Sequence, residues 1–207
     1  MFITLEGPDG SGKTTQAHAL AEWLRGQGRH VVLSREPGGT DIGNQIRAVL
    51  HDTGNTAMSA QTEILLYSAD RAQHVAQLIR PALAAGQVVI SDRYYDSTLA
   101  YQGYGRGLDL DQLRAITRFA TGGLVPDLTL YLDITAQEGL ARRQVGGGEW
   151  NRLDAEAIEF HERVRAGYLE LIAQEPSRWV VIEAARPVEE VQAKLRRVVG
   201  ARLAKGT

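Results

Sequence analysis

Hydrophobic residues in this chain fall into two rhythms. Short apolar runs at 2–6, 31–35, 88–91, 128–133 and 179–183 alternate with longer stretches in which apolar positions recur every three or four residues. The short runs read as buried strands and the long ones as helices. That alternation predicts an α/β fold: a five-stranded parallel sheet with helices on both faces. Several runs end in polar or charged residues: Glu6, Arg35 with Glu36, Asp92 with Arg93, and Asp133. Ligands of open α/β sheets bind beyond the carboxyl ends of the strands, so these ends should converge on one site.

The helical stretches have readable ends. The first runs from Lys13 to Gly26 or Gly28, where glycine can cap it. Thr40 or Asp41 can cap the second, which carries Arg47. The longest covers 59–80 and should stop at Pro81. Its Ile64, Leu65, Ala72, Val75, Leu78 and Ile79 form a broad apolar side suited to core or subunit packing. The stretch 97–106 (STLAYQGYGR) suits a flexible wall over a planar ligand. Asp109 with Gln112 reads as a capping box for a scaffold helix through Ala120. A helix beginning near Thr135 loosens into Arg142, Arg143, Gly146-Gly147-Gly148 and Arg152, a mobile lid at about 142–152. A further helix with Ile158, Phe160, Val164, Tyr168 and Leu171 is packing, and Arg186-Pro187 starts the last, to about Leu203.

Composition narrows the class without changing this architecture. The chain has 207 residues, enough for one domain with a real core, and no linker or repeat divides 1–207. Net charge is −2 with Lys and Arg scattered, so no basic footprint points to nucleic acid. With no cysteine, disulfides and thiolate metal sites are excluded. The N-terminus enters a strand without a signal-peptide pattern, and no apolar run is long enough for a membrane span. A soluble cytoplasmic protein with no membrane partner is the expectation.

Candidate chemistry concentrates at the first strand-to-helix junction. Gly7-Pro8-Asp9-Gly10-Ser11-Gly12-Lys13-Thr14 fits the phosphate-binding pattern G-x-x-x-x-G-K-[ST], and Thr15 follows it. Its glycines let successive N–H groups face inward around an anion, and the helix that follows points its positive end at the same place. Lys13 supplies charge for the outer phosphates of ATP and Thr14 a hydroxyl for Mg²⁺. Asp92, ending a strand beside the loop strand, is where such a fold holds Mg²⁺; a salt bridge inside its own loop is the alternative. Tyr67 and Arg71, four apart, share a helical face and could stack on and hydrogen-bond a base. On spacing alone, an ordinary surface packing pair explains them better. The glycines and arginines of 142–152 could carry charge over a phosphate, or form a plain surface loop.

Taken together, EGPDGSGKTT, REPGGT, ILLYSADRAQH, SDRYYDSTLAYQG, PDLTLYLD and NRLD followed by FHERVRAGYLEL resemble the bacterial thymidylate kinases, nearly end to end. The resemblance implies a P-loop nucleoside monophosphate kinase with a short mobile lid, acting as a homodimer on ATP and dTMP with Mg²⁺. It implies that residues 7–15 hold ATP phosphates and that Asp9 meets the sugar 3′-hydroxyl. Glu36 would line the acceptor site, and Arg47 and Arg93 would grip the dTMP phosphate. Tyr67 would stack on thymine, Arg71 donate to its O4, and Gln102 read its N3 edge with Ser97 nearby. Thr14 and Asp92 would hold the metal, and Lys13, Arg93, Arg143 and Arg152 would act in transfer. The chain departs from the family pattern by having no arginine inside the phosphate loop and few through the lid.

A monophosphate acceptor is already ionised near neutral pH, so transfer needs no general base, and Asp92 is assigned to the metal. With a nucleoside hydroxyl as acceptor, Asp92 would become the base. Two other functions keep the phosphate loop: a different nucleotide or deoxynucleoside kinase, with an altered base pocket, and an ATPase or regulatory module with no acceptor.

Overall fold

The computed structural model describes residues 1–146 and 151–205. Its five strands are β1 (Phe2–Glu6), β2 (Val31–Arg35), β3 (Val88–Asp92), β4 (Leu128–Asp133) and β5 (Trp179–Glu183). They form one parallel sheet in the order β2-β3-β1-β4-β5, which puts the loop-bearing strand at the centre. Phe2 lies opposite Val89 in β3 and Ile3 opposite Leu128 in β4, so β1 is paired on both edges. Covered on both faces, it is buried at every position, its polar Thr4 and Glu6 included.

Alternate residues of the sheet feed the cores on its two faces, and Phe2 and Val89 add a further cluster with Val75 and Ile79. On one face Ile3, Leu5, Ile90, Leu130 and Leu132 meet Ala17, Leu20 and Leu24 of α1 (Lys13–Gly26) and Val191, Leu195 and Val199 of α9 (Val188–Lys205). On the other, Tyr131 and Trp179 meet Phe160, Val164 and Tyr168 of α8 (Ile158–Gln174) and Leu113 of α6 (Leu110–Thr121). Among the described residues, no helix is long and apolar enough to cross a membrane.

Caps follow the sequence in part: the box expected at Asp109 and Gln112 forms only its Asp109 half. Thr40 accepts from the Gly43 N–H at the start of α2 (Asp41–His51), and Asp109 accepts from the Gln112 N–H before α6. Thr135 and Glu138 form a reciprocal capping box at α7 (Ala136–Val145).

Two expectations are corrected. Pro81 does not end the long helix: α3 (Ala60–His74) passes through a π-helical turn (Val75–Ile79) into α4 (Arg80–Ala84). The Arg80 N–H bonds back to Val75 across five residues, and this wider turn leaves Pro81 in the first turn of α4, where its missing N–H costs nothing. The stretch 97–106 does wall a cavity, but it is helical rather than a loose loop: α5 (Tyr95–Thr98) and a π-helical segment (Leu99–Gly105), with Ala100, Tyr101, Gln102 and Gly103 buried. Its glycines serve close packing: a Cβ on Gly105 would sit 2.7 Å from the Phe160 ring of α8. Of the lid placed at 142–152, residues 147–150 lie outside the described residues.

Candidate active site

The ends of β1, β2 and β3 open into one cavity of about 360 Å³. The phosphate loop forms one end of it, and Tyr67 of α3 with Tyr101 and Gln102 the other. Among the described residues, seven Lys or Arg side chains and three carboxylates line it: Lys13, Arg35, Arg47, Arg71, Arg93, Arg142 and Arg143 against Asp9, Glu36 and Asp92. In a chain of net charge −2 that excess is local, and it favours a polyanionic ligand. Asp133 is a further correction: its carboxylate is held by Arg165 of α8 at 2.8 and 2.9 Å and does not line the cavity.

The loop wraps the start of α1 with left-handed glycines at Gly10 and Gly12. At Gly10 this geometry meets a close approach, since a Cβ there would lie 2.0 Å from the Gly139 carbonyl of α7. Lys13 turns back over the loop, donating to the Gly7 and Pro8 carbonyls at 3.0 and 2.8 Å and to Ser11 Oγ at 3.3 Å. Burial and the nearby Arg93 push its ammonium down to about 8, against the pull of Asp9, Asp92 and Glu6. Thr14 Oγ1 donates to Asp92 Oδ2 at 2.5 Å, so the two proposed metal ligands already meet at the loop mouth. An oxygen-only pair with open sides suits Mg²⁺, which usually takes one or two carboxylates and completes its shell with water and substrate phosphate. No cluster of three or more His, Cys, Asp or Glu suited to a metal occurs among the described residues, so the pair is not part of an all-protein cage.

Arg93 is the hub of the acceptor side. It follows β3 with φ at +74°, a left-handed conformation that costs a non-glycine residue roughly 1 kcal/mol and marks a constrained position. Its backbone is pinned: the Arg93 N–H donates to Leu5 and the Tyr94 N–H to Glu6 Oε1. The guanidinium donates to Asp9 Oδ1 (2.6 Å), Ser97 Oγ (2.9 Å), the Tyr101 hydroxyl (3.0 Å), the Gly7 carbonyl (3.2 Å) and the Tyr168 hydroxyl (3.3 Å). Burial opposes ionisation of Asp9, but Arg93, Lys13 and the Tyr101 hydroxyl outweigh it and hold the carboxyl well below the usual range. Beneath them Glu6, fully buried, accepts from Ser97 and Tyr168, and burial followed by Asp96 pushes it up to about 7.

The base wall is organised from behind. Arg71 is 1 % exposed; it donates to Glu36 Oε2 at 2.7 Å, to Thr98 at 2.9 Å and to the Tyr94 carbonyl at 3.3 Å, leaving further N–H groups for the cavity. Glu36 also takes His74 Nδ1 at 2.9 Å. Gln102 Nε2 donates to Glu63 Oε1 at 2.7 Å. Arg47 donates to the Pro37 carbonyl from the opposite rim. Arg143 reaches the cavity while paired with Asp154, whereas Arg152 pairs with Glu63 and does not line it.

Sequence reasoning missed several participants. Tyr168 was expected to be packing; its ring packs, but its hydroxyl touches Arg93, Ser97 and Glu6. Tyr101 and His51 also line the cavity, and burial followed by Arg47 pushes His51 down to about 4. Only the tyrosine content of 97–106 hinted at Tyr101; no sequence signal marked His51.

Comparison with known proteins agrees with this geometry. The pattern of the family described as Thymidylate kinase matches residues 5–195. The thymidylate kinase of Leifsonia xyli subsp. xyli is 54% identical over 197 residues, covering 95% of this chain and 92% of that protein. That of Roseiflexus sp. (strain RS-1) is 51% identical over 210 residues, covering 96% and 93%. Among solved structures, thymidylate kinase from Ehrlichia chaffeensis superposes with a TM-score of 0.80 at 33% identity, covering 96% of this chain and 98% of that one. With its phosphate loop, central β1 and second pocket in one cavity, this chain belongs to the thymidylate kinase family.

Proposed function

We infer that this protein transfers the γ-phosphoryl group of ATP to dTMP, giving ADP and dTDP, a step toward dTTP. The observation that carries the reading is the shared cavity: the phosphate loop and the Tyr67–Gln102 wall open into the same space, with Arg93 between them. An ATPase without an acceptor needs no such second pocket.

Phosphoryl transfer asks for in-line positioning and positive charge rather than covalent chemistry. Lys13 and the loop N–H groups bind the donor phosphates, exchanging the loop carbonyls that hold Lys13 here for phosphate oxygens. Arg93 and Arg47 hold the dTMP phosphate, and Asp9, kept ionised, takes the sugar 3′-hydroxyl. Tyr67 stacks on thymine, Arg71 donates to O4 and Gln102 meets N3, with Ser97 steadying Arg93 and Glu36 steadying Arg71. Arg143 approaches the moving phosphoryl group from the lid side, and Arg152 supports the lid from Glu63. Thr14 and Asp92 would hold Mg²⁺, which when bound neutralises charge on the β- and γ-phosphates. No side chain has to remove a proton, because the acceptor phosphate has a second pKa of about 6.

The protein acts as a homodimer in the cytoplasm on this reading. The paired helices α2 and α3 leave Ile42, Val49 and Leu65 exposed, an apolar face fit for a second copy. The test of function is ADP formation from ATP and Mg²⁺ with dTMP, dUMP, dCMP, dAMP, dGMP or thymidine added singly. Stimulation chiefly by dTMP, with dTDP as product, is expected. Preference for thymidine or a purine would refute the pocket assignment, and acceptor-independent ADP release would refute the kinase reading.

A further inference from the structure

Gln102 is an ambiguous reader. Its amide can offer a base either an acceptor oxygen or a donor N–H₂, and the two ends have nearly the same shape. The choice matters: thymine and uracil present a donor at N3 and an acceptor at O4, whereas cytosine presents the reverse. Arg71 beside it has donors only and so suits O4 of thymine rather than the 4-amino group of cytosine; Gln102 reinforces that choice at N3 only if it turns its oxygen toward the base.

Glu63 of α3 settles the orientation. Its carboxylate is 1 % exposed and lies behind Gln102, outside the cavity lining. Oε1 accepts from Gln102 Nε2 at 2.7 Å and from Arg106 Nε at 2.8 Å; Oε2 accepts from Arg106 Nη2 at 3.0 Å and from Arg152. A carboxylate surrounded by two guanidinium groups is an acceptor only and has no proton to give. Burial opposes its ionisation, but these hydrogen bonds hold the Glu63 carboxyl below its ordinary range. A flipped Gln102 would put its oxygen against that carboxylate, two acceptors face to face in a buried site, and leave an N–H₂ for the base.

We propose that Glu63 is a positioning residue for base specificity: by accepting from Gln102 Nε2 it fixes Gln102 Oε1 toward the cavity as the acceptor for the base N3–H. The network thereby rejects cytosine and treats thymine and uracil alike at this edge. A cytosine N3 facing Gln102 Oε1 would be a buried acceptor with no donor. This rests on the reading of the protein as a dTMP kinase.

Glu63→Gln tests it, because a glutamine can accept from Gln102 or donate to it and so permits the flip. The readout is kcat/KM for dTMP divided by that for dCMP. We expect the ratio to fall at least about tenfold in Glu63→Gln, chiefly by a gain in dCMP use, and the dTMP to dUMP ratio to hold. Arg106→Met disturbs the same ion pairs but leaves the Gln102–Glu63 bond, and its ratio should stay near wild type. In the Gln102→Leu background, Glu63→Gln should have no further effect on the ratio. An unchanged ratio in Glu63→Gln, or an equal fall in Arg106→Met, overturns the proposal. Should Glu63→Gln not fold, side-chain amide exchange in the wild-type protein decides, the Gln102 signals being assigned by their loss in Gln102→Leu. Slow exchange without nucleotide is expected, and rapid exchange overturns the role of Glu63. If the wild-type enzyme does not phosphorylate dTMP at all, the functional reading itself has failed, a distinct result.

Discussion

Gly139 gives a prediction in which two effects oppose each other and magnitude decides. It lies inside α7, where replacing glycine by alanine ordinarily stabilises a helix by about 1 kcal/mol. Here a Cβ would stand 2.3 Å from the Asp9 carbonyl oxygen, about 1.1 Å short of the 3.4 Å at which ordinary contact begins. The obstructing atom is backbone, so relief requires the phosphate loop or α7 to move by about 1 Å. Overpacking of this kind costs roughly 1–3 kcal/mol, which exceeds the propensity gain. Gly139→Ala should therefore lose about 1 kcal/mol net, a drop in Tm of some 2–4 °C for a chain of this size. Displacing the loop that cradles phosphate should cost more in function, since a misplacement of about 1 Å can reduce rate by around 100-fold. Thermal unfolding and initial-rate measurements with ATP varied would check both numbers. A variant with raised Tm and unchanged kcat/KM for ATP would refute the argument that α7 and the phosphate loop are interlocked.

Other outcomes follow from the same geometry. Arg93→Lys keeps the charge but loses the fork that binds Asp9, Ser97, Tyr101, Gly7 and Tyr168 together, and kcat/KM for dTMP should fall by roughly 100-fold; a fall below threefold would show that only charge matters there. Asp92→Asn should raise the Mg²⁺ concentration for half-maximal rate by about tenfold, and chelation should abolish dTDP formation in the wild type; an unchanged Mg²⁺ requirement would remove Asp92 from the metal site. Asp70 is buried, with Oδ1 accepting from the Gly38 N–H, and burial followed by Glu36 pushes its carboxyl up to about 7 from an ordinary 3.8. Because the folded state holds this proton more tightly, its stabilisation is complete below pH 4 and lost as pH rises through 7. Melting curves should show the wild type losing stability relative to Asp70→Asn between pH 5 and 8, and parallel pH profiles would refute it.

The strands and most helix starts were legible because a sheet flanked by helices favours short apolar runs, most completely in the buried central strands, and caps need particular side chains. Pro81 misled because a π turn five residues long is decided by packing against Val89 and Tyr94, not by local preference. The loop pattern located the phosphate site, but nothing in its spacing joined it to Tyr168 of α8, which reaches Arg93 only through the fold, and nothing marked Glu63 of α3 behind Gln102. The Tyr67–Arg71 pair shows the same limit. Helical periodicity put them on one face, and the anchoring of Arg71 by Glu36 comes from a segment some 35 residues away.

The place of β1 in the sheet has a consequence for how the protein is made. Ile3 leaves the ribosome early relative to its partner Leu128, which is translated more than a hundred residues later. At roughly 5–20 residues per second, the segment bearing the phosphate loop waits on the order of ten seconds with one edge bare, even after β3 has joined it. A nascent chain stalled before residue 128 would carry the complete loop motif on an open apolar edge. Such a chain should be captured by holding chaperones and should bind no nucleotide, and release by only a few dozen further residues should complete both sides of β1.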